Sequence, residues 1–257
     1  MYSEPNKTPL SSFKALSFDV YATLIDWESG IYTALEPINA RLPSGHSLKD
    51  SRQGLLELFS YYEGYLQNKH PGIKYAALLG MVYEEMSMHL CIPLSSDTAE
   101  EEKATFGGSV SRWPAFPDTV NALRTLAKSF KLLVLSNVDA ESFAGTLHGP
   151  LENAHFDAVY TAEDIGSYKP NLRNFEYMIQ HAEKDLGIKK HELLHTAQAL
   201  WHDHIPAQKL GLKTCWIKRR GADAAFGGRE EDFSDLHVSF RFLTLADLAK
   251  AVEDEFD

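Results

Sequence analysis

The sequence contains few cysteines and no long apolar segment. Cys91 and Cys215 are the only two among 257 residues, and their spacing matches no metal-binding pattern. Both stand in apolar surroundings, which predicts reduced core thiols in a reducing compartment. No apolar run approaches the ~20 residues of a membrane-spanning helix, and the polar first twelve residues lack the apolar stretch of a signal peptide. We therefore expect a soluble, cytoplasmic protein.

The sequence also lacks a basic region. It has 25 Lys and Arg against 36 Asp and Glu, a formal net charge of −11, and its longest basic run is Lys218-Arg219-Arg220. A chain of this charge repels the phosphates of nucleic acids and the surface of anionic membranes. We expect neither as a partner. A homodimer stays open at this stage.

Two parts of the chain differ in pattern. Residues 28–112 carry apolar residues at helical spacing and contain no convincing strand. After residue 113, short apolar strands alternate with helices, and the strands are predicted near 131–135, 158–160, 193–196, 214–217 and 238–240. With a first strand at 15–18, this alternation predicts an α/β fold with a Rossmann-like, doubly wound parallel sheet. We expect a catalytic core of residues 1–27 and 113–257, with residues 28–112 inserted as an α-helical cap.

Asp19 is the first candidate for chemistry. It directly follows the apolar run Ala15 to Phe18, which is typical of a buried parallel strand. Ligands of open α/β sheets bind at the carboxyl ends of the strands, and a carboxylate there can act as a covalent nucleophile. An Asx turn that closes the strand is the simpler alternative.

Two further sites carry suitable groups. Ser136 and Asn137 end the second core strand, where a hydroxyl and an amide can hold an anion by hydrogen bonds, although both are also ordinary turn residues. Lys169 stands beside Pro170 just before a helix that is predicted at 172–186. Most lysines lie on the surface, so the surface alternative also applies to Lys169.

These residues resemble the haloacid dehalogenase superfamily, whose members carry an aspartate nucleophile in an Asp-x-x-x-Thr loop. More narrowly, Asp19-x-Tyr21-x-Thr23-Leu24 is similar to the L-2-haloacid dehalogenases (type II), and the resemblance covers most of residues 13–220. It implies that Asp19 is the nucleophile and that Thr23 helps to orient it.

The resemblance also implies roles for residues outside the loop. Lys169 would orient Asp19 and stabilise the negative charge of the substrate. Ser136, Asn137 and the backbone near Tyr21 would hold the substrate carboxylate. Asp203 would help to position the hydrolytic water.

The segment 195–204 departs from the superfamily phosphatases. Many of them carry two acids here, of which Asp203 retains the second while Gln198 replaces the first. Because Mg²⁺ prefers carboxylate oxygens in octahedral geometry, we expect no metal site. His202 and His204 have no third ligand cluster that would indicate zinc. We expect His202 to face the substrate or the solvent.

Tyr21 is the second departure. Superfamily phosphatases usually carry an acid two residues after the nucleophile, since a leaving alkoxide needs a proton. A halide ion is the conjugate base of a strong acid and needs none. Tyr21 therefore favours halide departure.

The resemblance implies hydrolytic dehalogenation of a short 2-haloalkanoic acid, a small anionic substrate, through an aspartyl ester and without a cofactor. A phosphatase that acts through an aspartyl-phosphate with Mg²⁺, or a catalytically weak binding protein on the same scaffold, are the alternatives. The arginine that receives the halide in those dehalogenases does not carry over, because Leu58 stands near its place. This leaves His202, Arg52 or Tyr62 as candidates for the leaving-group pocket.

Overall fold

The computed structural model of the chain describes residues 8–92, 94–219, 233 and 235–256. Its centre is a six-stranded sheet in the order β3-β2-β1-β4-β5-β6, and every neighbouring pair of strands is parallel. The strands are β1 (Ala15–Phe18), β2 (Lys131–Ser136), β3 (Ala158–Thr161), β4 (Leu193–Ala197), β5 (Lys213–Ile217) and β6 (Phe240–Phe242). With helices on both faces, the sheet confirms the predicted α/β fold class.

Helices fill the connections between the strands. They are α1 (Trp27–Ala34), α2 (Glu36–Arg41), α3 (Arg52–Lys69), α4 (Tyr75–His89), α5 (Ala99–Gly107), α6 (Thr119–Leu126), α7 (Ala140–His148), α8 (Ala162–Ile165), α9 (Leu172–Leu186), α10 (Ile205–Lys209) and α11 (Leu245–Phe256). In the part of the chain that the structure describes, no helix combines the length and apolar character needed to cross a membrane. The expectations about partners and cellular location remain predictions.

β1 is an internal strand of the sheet, between β2 and β4, and both of its faces are covered. All four of its residues are fully buried, as expected for a continuous apolar strand of a parallel sheet. Phe18 at its end pairs with Val134 of β2 and Thr196 of β4. From β1 the chain runs to β2 and β3 on one side and then crosses to β4 on the other. The end of β1 is therefore the switch point where α/β proteins bind ligands.

The helices α1 to α5, called the helical segment here, lie between β1 and β2 in the chain. α3 buries Leu55, Phe59 and Leu66 on one face, and these side chains belong to the apolar cluster that also contains Phe18. The helical segment therefore packs against the sheet and matches the predicted run of helices. The division of the chain into a core and a cap domain at residues 27/28 and 112/113 remains a prediction.

α9 shows how the sequence sets helix ends. The side chain of Asn171 accepts a hydrogen bond from the backbone N–H of Arg173 at the start, and Gly187 adopts a left-handed φ of 68° at the end, the usual pair of start and stop signals. The predicted bounds of this helix are confirmed. The start of the helix, capped by Asn171, fixes the position of the backbone just after Lys169.

Two sequence expectations need correction. Cys215 is buried as expected, but Cys91 is exposed, because it follows the end of α4 in a left-handed turn with φ of 55° that turns it away from the apolar face. The last strand is β6 at 240–242 and not at 238–240. It pairs with β5 from Phe240 onward, so the two residues before Phe240 lead into the strand.

Candidate active site

Asp19 lies at the first position after β1, in a tight loop. Its N–H donates to the carbonyl oxygen of Thr196 on β4, and the carbonyl oxygen of Val20 accepts hydrogen bonds from Leu24 N at 2.7 Å and Ile25 N at 2.9 Å. Ala22 has a φ of 75°, a left-handed conformation that costs a non-glycine residue roughly 1 kcal/mol. The loop is thus held in a strained shape by its own backbone hydrogen bonds.

Lys169 joins two carboxylates. Its Nζ lies 2.8 Å from Oδ1 of Asp19 and 2.7 Å from Oδ1 of Asp203, and it also donates to the carbonyl oxygen of Leu135 at 3.0 Å. Lys169 is only 3% exposed, and both acids are buried as well. The surface-lysine alternative is therefore excluded, and the structure brings together the three groups predicted from separate motifs.

Thr23 connects the loop to the end of β4. Its hydroxyl donates to Oδ2 of Asp19 at 2.7 Å and accepts from the backbone N–H of Gln198 at 3.0 Å. The two oxygens of Asp19 therefore each have a donor, Lys169 on one and Thr23 on the other. This contact fixes the rotamer of the carboxylate, which is the orienting geometry that the motif predicts.

Asp203 is held by a buried histidine that sequence reasoning assigned no role. Nε2 of His195 lies 2.9 Å from Oδ1 of Asp203, and Nδ1 of His195 lies 2.9 Å from the hydroxyl of Ser17. Asp203 itself sits in one turn of π-helix, residues 200–204, a feature that recurs at functional sites. The signal in the sequence was a histidine within an otherwise apolar buried strand.

The pKa values of these groups follow from burial and mutual charge. Burial raises the pKa of Asp19, and the nearby charge of Asp203 opposes the lowering effect of Lys169. Burial also acts to raise the pKa of Asp203, but Lys169 and His195 outweigh it and hold that pKa below its usual value. The pKa of Lys169 is raised despite its burial, because two carboxylates surround it. A single lysine cation thus compensates the charge of two carboxylates.

Arg219, which follows β5, anchors the loop after β1. Its Nε and Nη2 donate to the carbonyl oxygen of Thr23 at 3.1 and 2.9 Å, and its Nη1 pairs with Asp118 at 2.6 Å. The guanidinium is almost fully buried and lies over the ring of Phe116. Sequence reasoning counted Arg219 in a basic run. Its place two residues after a buried strand was the available signal.

A cavity of about 80 Å³ opens beside Asp19, room for a few water-sized groups. Its polar and charged lining includes Asp19, Asn137, Lys169, His202 and Asp203. Its aromatic lining consists of Tyr21, Trp27, Tyr75 and Trp113. A cavity of this size and lining suits a short substrate with a small apolar part.

Two predicted binding residues, Tyr21 and Ser136, differ in their relation to the cavity. Tyr21 lines it, its ring packs edge-on against Trp113, and its hydroxyl bonds to that of Thr146 at 3.1 Å. Burial raises the pKa of this phenol, so it stays neutral. Ser136 does not line the cavity in the described part of the structure, and its buried hydroxyl has no hydrogen-bond partner there.

The three candidates for the leaving-group pocket differ in whether they line the cavity. His202 lines the cavity. Arg52 instead donates to the hydroxyl of Ser29 at 3.2 Å, and Tyr62 bonds to His89 at 3.0 Å on the exposed side of the helical segment. Among the described residues, neither Arg52 nor Tyr62 reaches the cavity wall.

Glu63 is a cavity residue that sequence reasoning missed. It lies on the buried face of α3 and is only 5% exposed. Burial raises its pKa to about 7, against the lowering effect of the hydrogen bond from the Tyr75 hydroxyl. The available signal was a glutamate within the apolar stripe of a helix, four residues after Phe59.

The residues around Asp19 fit a magnesium ion poorly. A hard dication needs several oxygen ligands in octahedral geometry, but the cation already between Asp19 and Asp203 is Lys169. The position of the first superfamily acid holds Gln198. No group of three or more His, Cys, Asp or Glu side chains within the described ranges is arranged to hold a metal ion.

Comparisons with known proteins place this geometry in context. The family model described as haloacid dehalogenase-like hydrolase matches residues 13–196. The chain is 28% identical over 210 residues to the (S)-2-haloacid dehalogenase of Pseudomonas sp. (strain YL), which covers 81% of this chain and 84% of that protein.

Two solved structures illustrate the shared fold. The L-2-haloacid dehalogenase from Xanthobacter autotrophicus aligns with a TM-score of 0.74 at 18% identity, covering 94% of this chain and 98% of that chain. A HAD-hydrolase structure from Bacillus subtilis bound to magnesium aligns with a TM-score of 0.67 at 16% identity, covering 93% and 97%. At these identities the likeness shows the fold.

Proposed function

The chain belongs to the haloacid dehalogenase-like hydrolase family, and from that premise we propose that it hydrolyses a short 2-haloalkanoic acid through an ester on Asp19. The observation that carries the proposal is the contact of Lys169 with both Asp19 and Asp203 in a buried site. A protein that only binds ligands has no need of a nucleophile held against a buried lysine. Burying a lysine with carboxylates costs desolvation free energy, which is retained only where the ion pair has a function or where all of its hydrogen bonds are satisfied.

In the first step, an oxygen of Asp19 attacks the carbon that bears the halogen. A carbon–oxygen bond forms, the carbon–halogen bond breaks, and its electron pair leaves with the halide. Thr23 and Lys169 keep the carboxylate aimed at the cavity, since each holds one of its oxygens. Such positioning is a large part of what a buried site contributes to rate.

In the second step, water attacks the carbonyl carbon of the aspartyl ester. The carbon–oxygen bond of the ester breaks on the enzyme side, which returns Asp19 as a carboxylate and releases the 2-hydroxy acid and one proton. Asp203 is the base we assign to position this water, because its Oδ2 has no hydrogen bond to any described residue. The stereocentre is attacked once, so the product has inverted configuration.

The surroundings of Asp19 favour a leaving group that needs no proton. Tyr21 stands where a phosphatase of this superfamily carries an acid, and its buried phenol has a raised pKa. A phenol of that kind is a weak proton donor for an alkoxide. A halide departs without protonation, so Tyr21 serves as an apolar wall.

The substrate carboxylate is assigned to the end of β2 and the loop after β1. Asn137 at the cavity wall supports this placement. Ser136 does not line the cavity, but its buried hydroxyl lies at the same strand end without a partner among the described residues. His202 is assigned to the substrate on the same ground. These assignments rest on the resemblance and on position.

The test is a single turnover of 2-chloropropionate in ¹⁸O-water with the enzyme in excess. We expect the label in the side chain of Asp19 and not in the lactate, because water attacks the ester carbonyl. Asp19→Asn should be folded and inactive, while the exposed Asp254→Asn should be unaffected. Label that appears directly in the product contradicts the covalent mechanism. Turnover of phosphate esters alone, and only with magnesium, replaces the proposal with the phosphatase alternative.

A further inference from the structure

Glu63 lies in the cavity wall, and the proposed reaction gives it no role. It occupies the apolar stripe of α3 together with Leu55, Phe59 and Leu66, where an ionisable side chain is unfavourable unless it is paired. It lines the same cavity as Asp19 and is almost fully buried.

The hydrogen bonds of Glu63 leave one of its oxygens available. Oε1 accepts a hydrogen bond from the hydroxyl of Tyr75 and a long one, 3.4 Å, from Nε2 of Gln67. Within the part of the chain that the structure describes, no hydrogen bond to Oε2 is present. When Glu63 carries a proton, the proton therefore belongs on Oε2, since Oε1 is occupied as an acceptor. A neutral Glu63 is then a hydrogen-bond donor on the cavity wall.

The charges of the cavity favour this neutral form. Asp19 and Asp203 share the single cation of Lys169, so an ionised Glu63 would add a third carboxylate to the same small cavity. Burial already raises the pKa of Glu63 to about 7. A bound anion would raise it further, because like charges disfavour each other at close range.

The titratable groups that face Glu63 from neighbouring elements are phenols, and the cation of Lys169 in the same cavity is held by Asp19 and Asp203. Tyr75 on α4 and Tyr168 in the loop before α9 face it, and burial raises the pKa of both phenols. The hydroxyl of Tyr168 donates to the carbonyl oxygen of Ile73. The remaining titratable groups of the cavity are Asp19, Tyr21, Lys169, His202 and Asp203.

We propose that Glu63, in its neutral form, receives the departing halide by donating a hydrogen bond from Oε2–H. The inference rests on the proposed function and deepens it by naming the leaving-group residue. The electron pair of the carbon–halogen bond goes to the halide, and the proton stays on Glu63. Ionisation of Glu63 removes the donor and sets a negative oxygen against the halide, so turnover is lost as the pH rises.

The first test is the pH profile of kcat/KM for 2-chloropropionate between pH 5.5 and 9 in three proteins. In the wild type we expect a fall of at least tenfold from the acid to the alkaline end. Glu63→Gln should lack this fall, because its amide donates a hydrogen bond at every pH. Glu57→Gln, an exposed glutamate on the same helix, should behave as the wild type.

Two results overturn the inference. The same alkaline fall in Glu63→Gln would assign it to another group. A folded Glu63→Gln protein without activity at any pH would mean that Glu63 transfers its proton, which an amide cannot do.

The second test needs no turnover. Bromide should raise the thermal unfolding temperature of the wild type at pH 5.5 but not at pH 8.5, and it should raise that of Glu63→Gln at both. Equal bromide effects in the two proteins at both pH values contradict the inference. If the wild type turns over no haloacid, the proposed function fails. The effect of bromide on the unfolding temperatures then tests by itself whether Glu63 binds a halide.

Discussion

Asn137 and Lys169 are joined by two hydrogen bonds that run in opposite directions. The backbone N–H of Lys169 donates to Oδ1 of Asn137 at 2.6 Å, and Nδ2 of Asn137 donates to the carbonyl oxygen of Lys169 at 3.0 Å. The amide therefore fixes the backbone from which the buried lysine side chain extends toward Asp19. We infer that Asn137 positions Lys169, in addition to the substrate contact predicted for it.

Asn137→Ala should lower kcat at least tenfold with a smaller change in KM. The variant removes both hydrogen bonds to the backbone of Lys169, so the lysine loses its alignment while the cavity wall stays largely intact. Steady-state kinetics on a 2-haloacid would measure the split. A variant in which KM rises and kcat is normal would instead assign Asn137 to substrate binding alone.

Lys169→Ala should abolish turnover and destabilise the fold. Without the cation, Asp19 and Asp203 face each other uncompensated, and breaking a buried charge pair costs on the order of 3–5 kcal/mol. Urea unfolding and kcat would measure both effects, with the exposed Lys184→Ala on α9 as the control. The acid limb of any residual activity should move to higher pH, since the pKa of Asp19 rises further. Near-normal kcat would contradict the role of Lys169.

His202→Ala should change the order of preference among substrates. His202 lines the cavity, whereas Arg52 and Tyr62 do not, so Arg52→Ala and Tyr62→Phe should leave the order unchanged. The measurement is kcat/KM for chloro-, bromo- and iodo-substituted acids of two and three carbons. The same order in all four proteins would remove His202 from the substrate site.

Turnover of a 2-haloacid should survive excess EDTA. Lys169 is the counter-charge for Asp19 and Asp203, and Gln198 offers no carboxylate to a dication. A phosphate ester would bring nearly two negative charges, which one lysine neutralises poorly. Activity before and after chelation, with magnesium added back, is the measurement. A strict requirement for magnesium would contradict metal independence.

The stability of the fold should fall as the pH rises toward 7, through Glu63. The unfolded chain loses the proton near the ordinary pKa of 4.5, but the folded chain holds it up to about 7. The contribution of protonated Glu63 to the free energy of unfolding is therefore complete below pH 4.5. It is lost as the pH rises through 7, by roughly 3 kcal/mol in all. Urea unfolding should show Glu63→Gln gaining stability relative to the wild type between pH 4.5 and pH 8. A constant difference would mean that Glu63 titrates normally.

The elements with an uninterrupted pattern could be predicted from the sequence. β1 and α9 have the predicted bounds, because a four-residue apolar strand and a capped amphipathic helix each have a single periodicity. The grouping of Asp19, Thr23, Lys169 and Asp203 was implied by the resemblance to the haloacid dehalogenase superfamily. In a parallel sheet the carboxyl ends of all strands lie at the same edge, so residues that follow different strands come together whatever the length of the connecting segments.

Glu63, His195 and Arg219 were missed for a common physical reason. Glu63 and His195 lie in mostly apolar stretches and Arg219 lies in a basic run, and in each case the local pattern does not tell which way the side chain is oriented. The position of Glu63 in the cavity wall becomes visible only once α3 is placed over the end of β1. Arg219 becomes informative only when β5 stands two strands away from the nucleophile loop. Cys91 was misplaced because the chain turns outward at the end of α4.

The anchor that Arg219 provides also sets an order of assembly. Thr23 is synthesised early, but the guanidinium that holds its carbonyl oxygen follows β5. In the folded structure this anchor accompanies the pairing of β5 with β4. Chains fold from the N-terminus as they leave the ribosome, so a nascent chain carries Asp19 before it contains the arginine that anchors the loop. Incomplete chains therefore have the loop and its own backbone hydrogen bonds without this anchor.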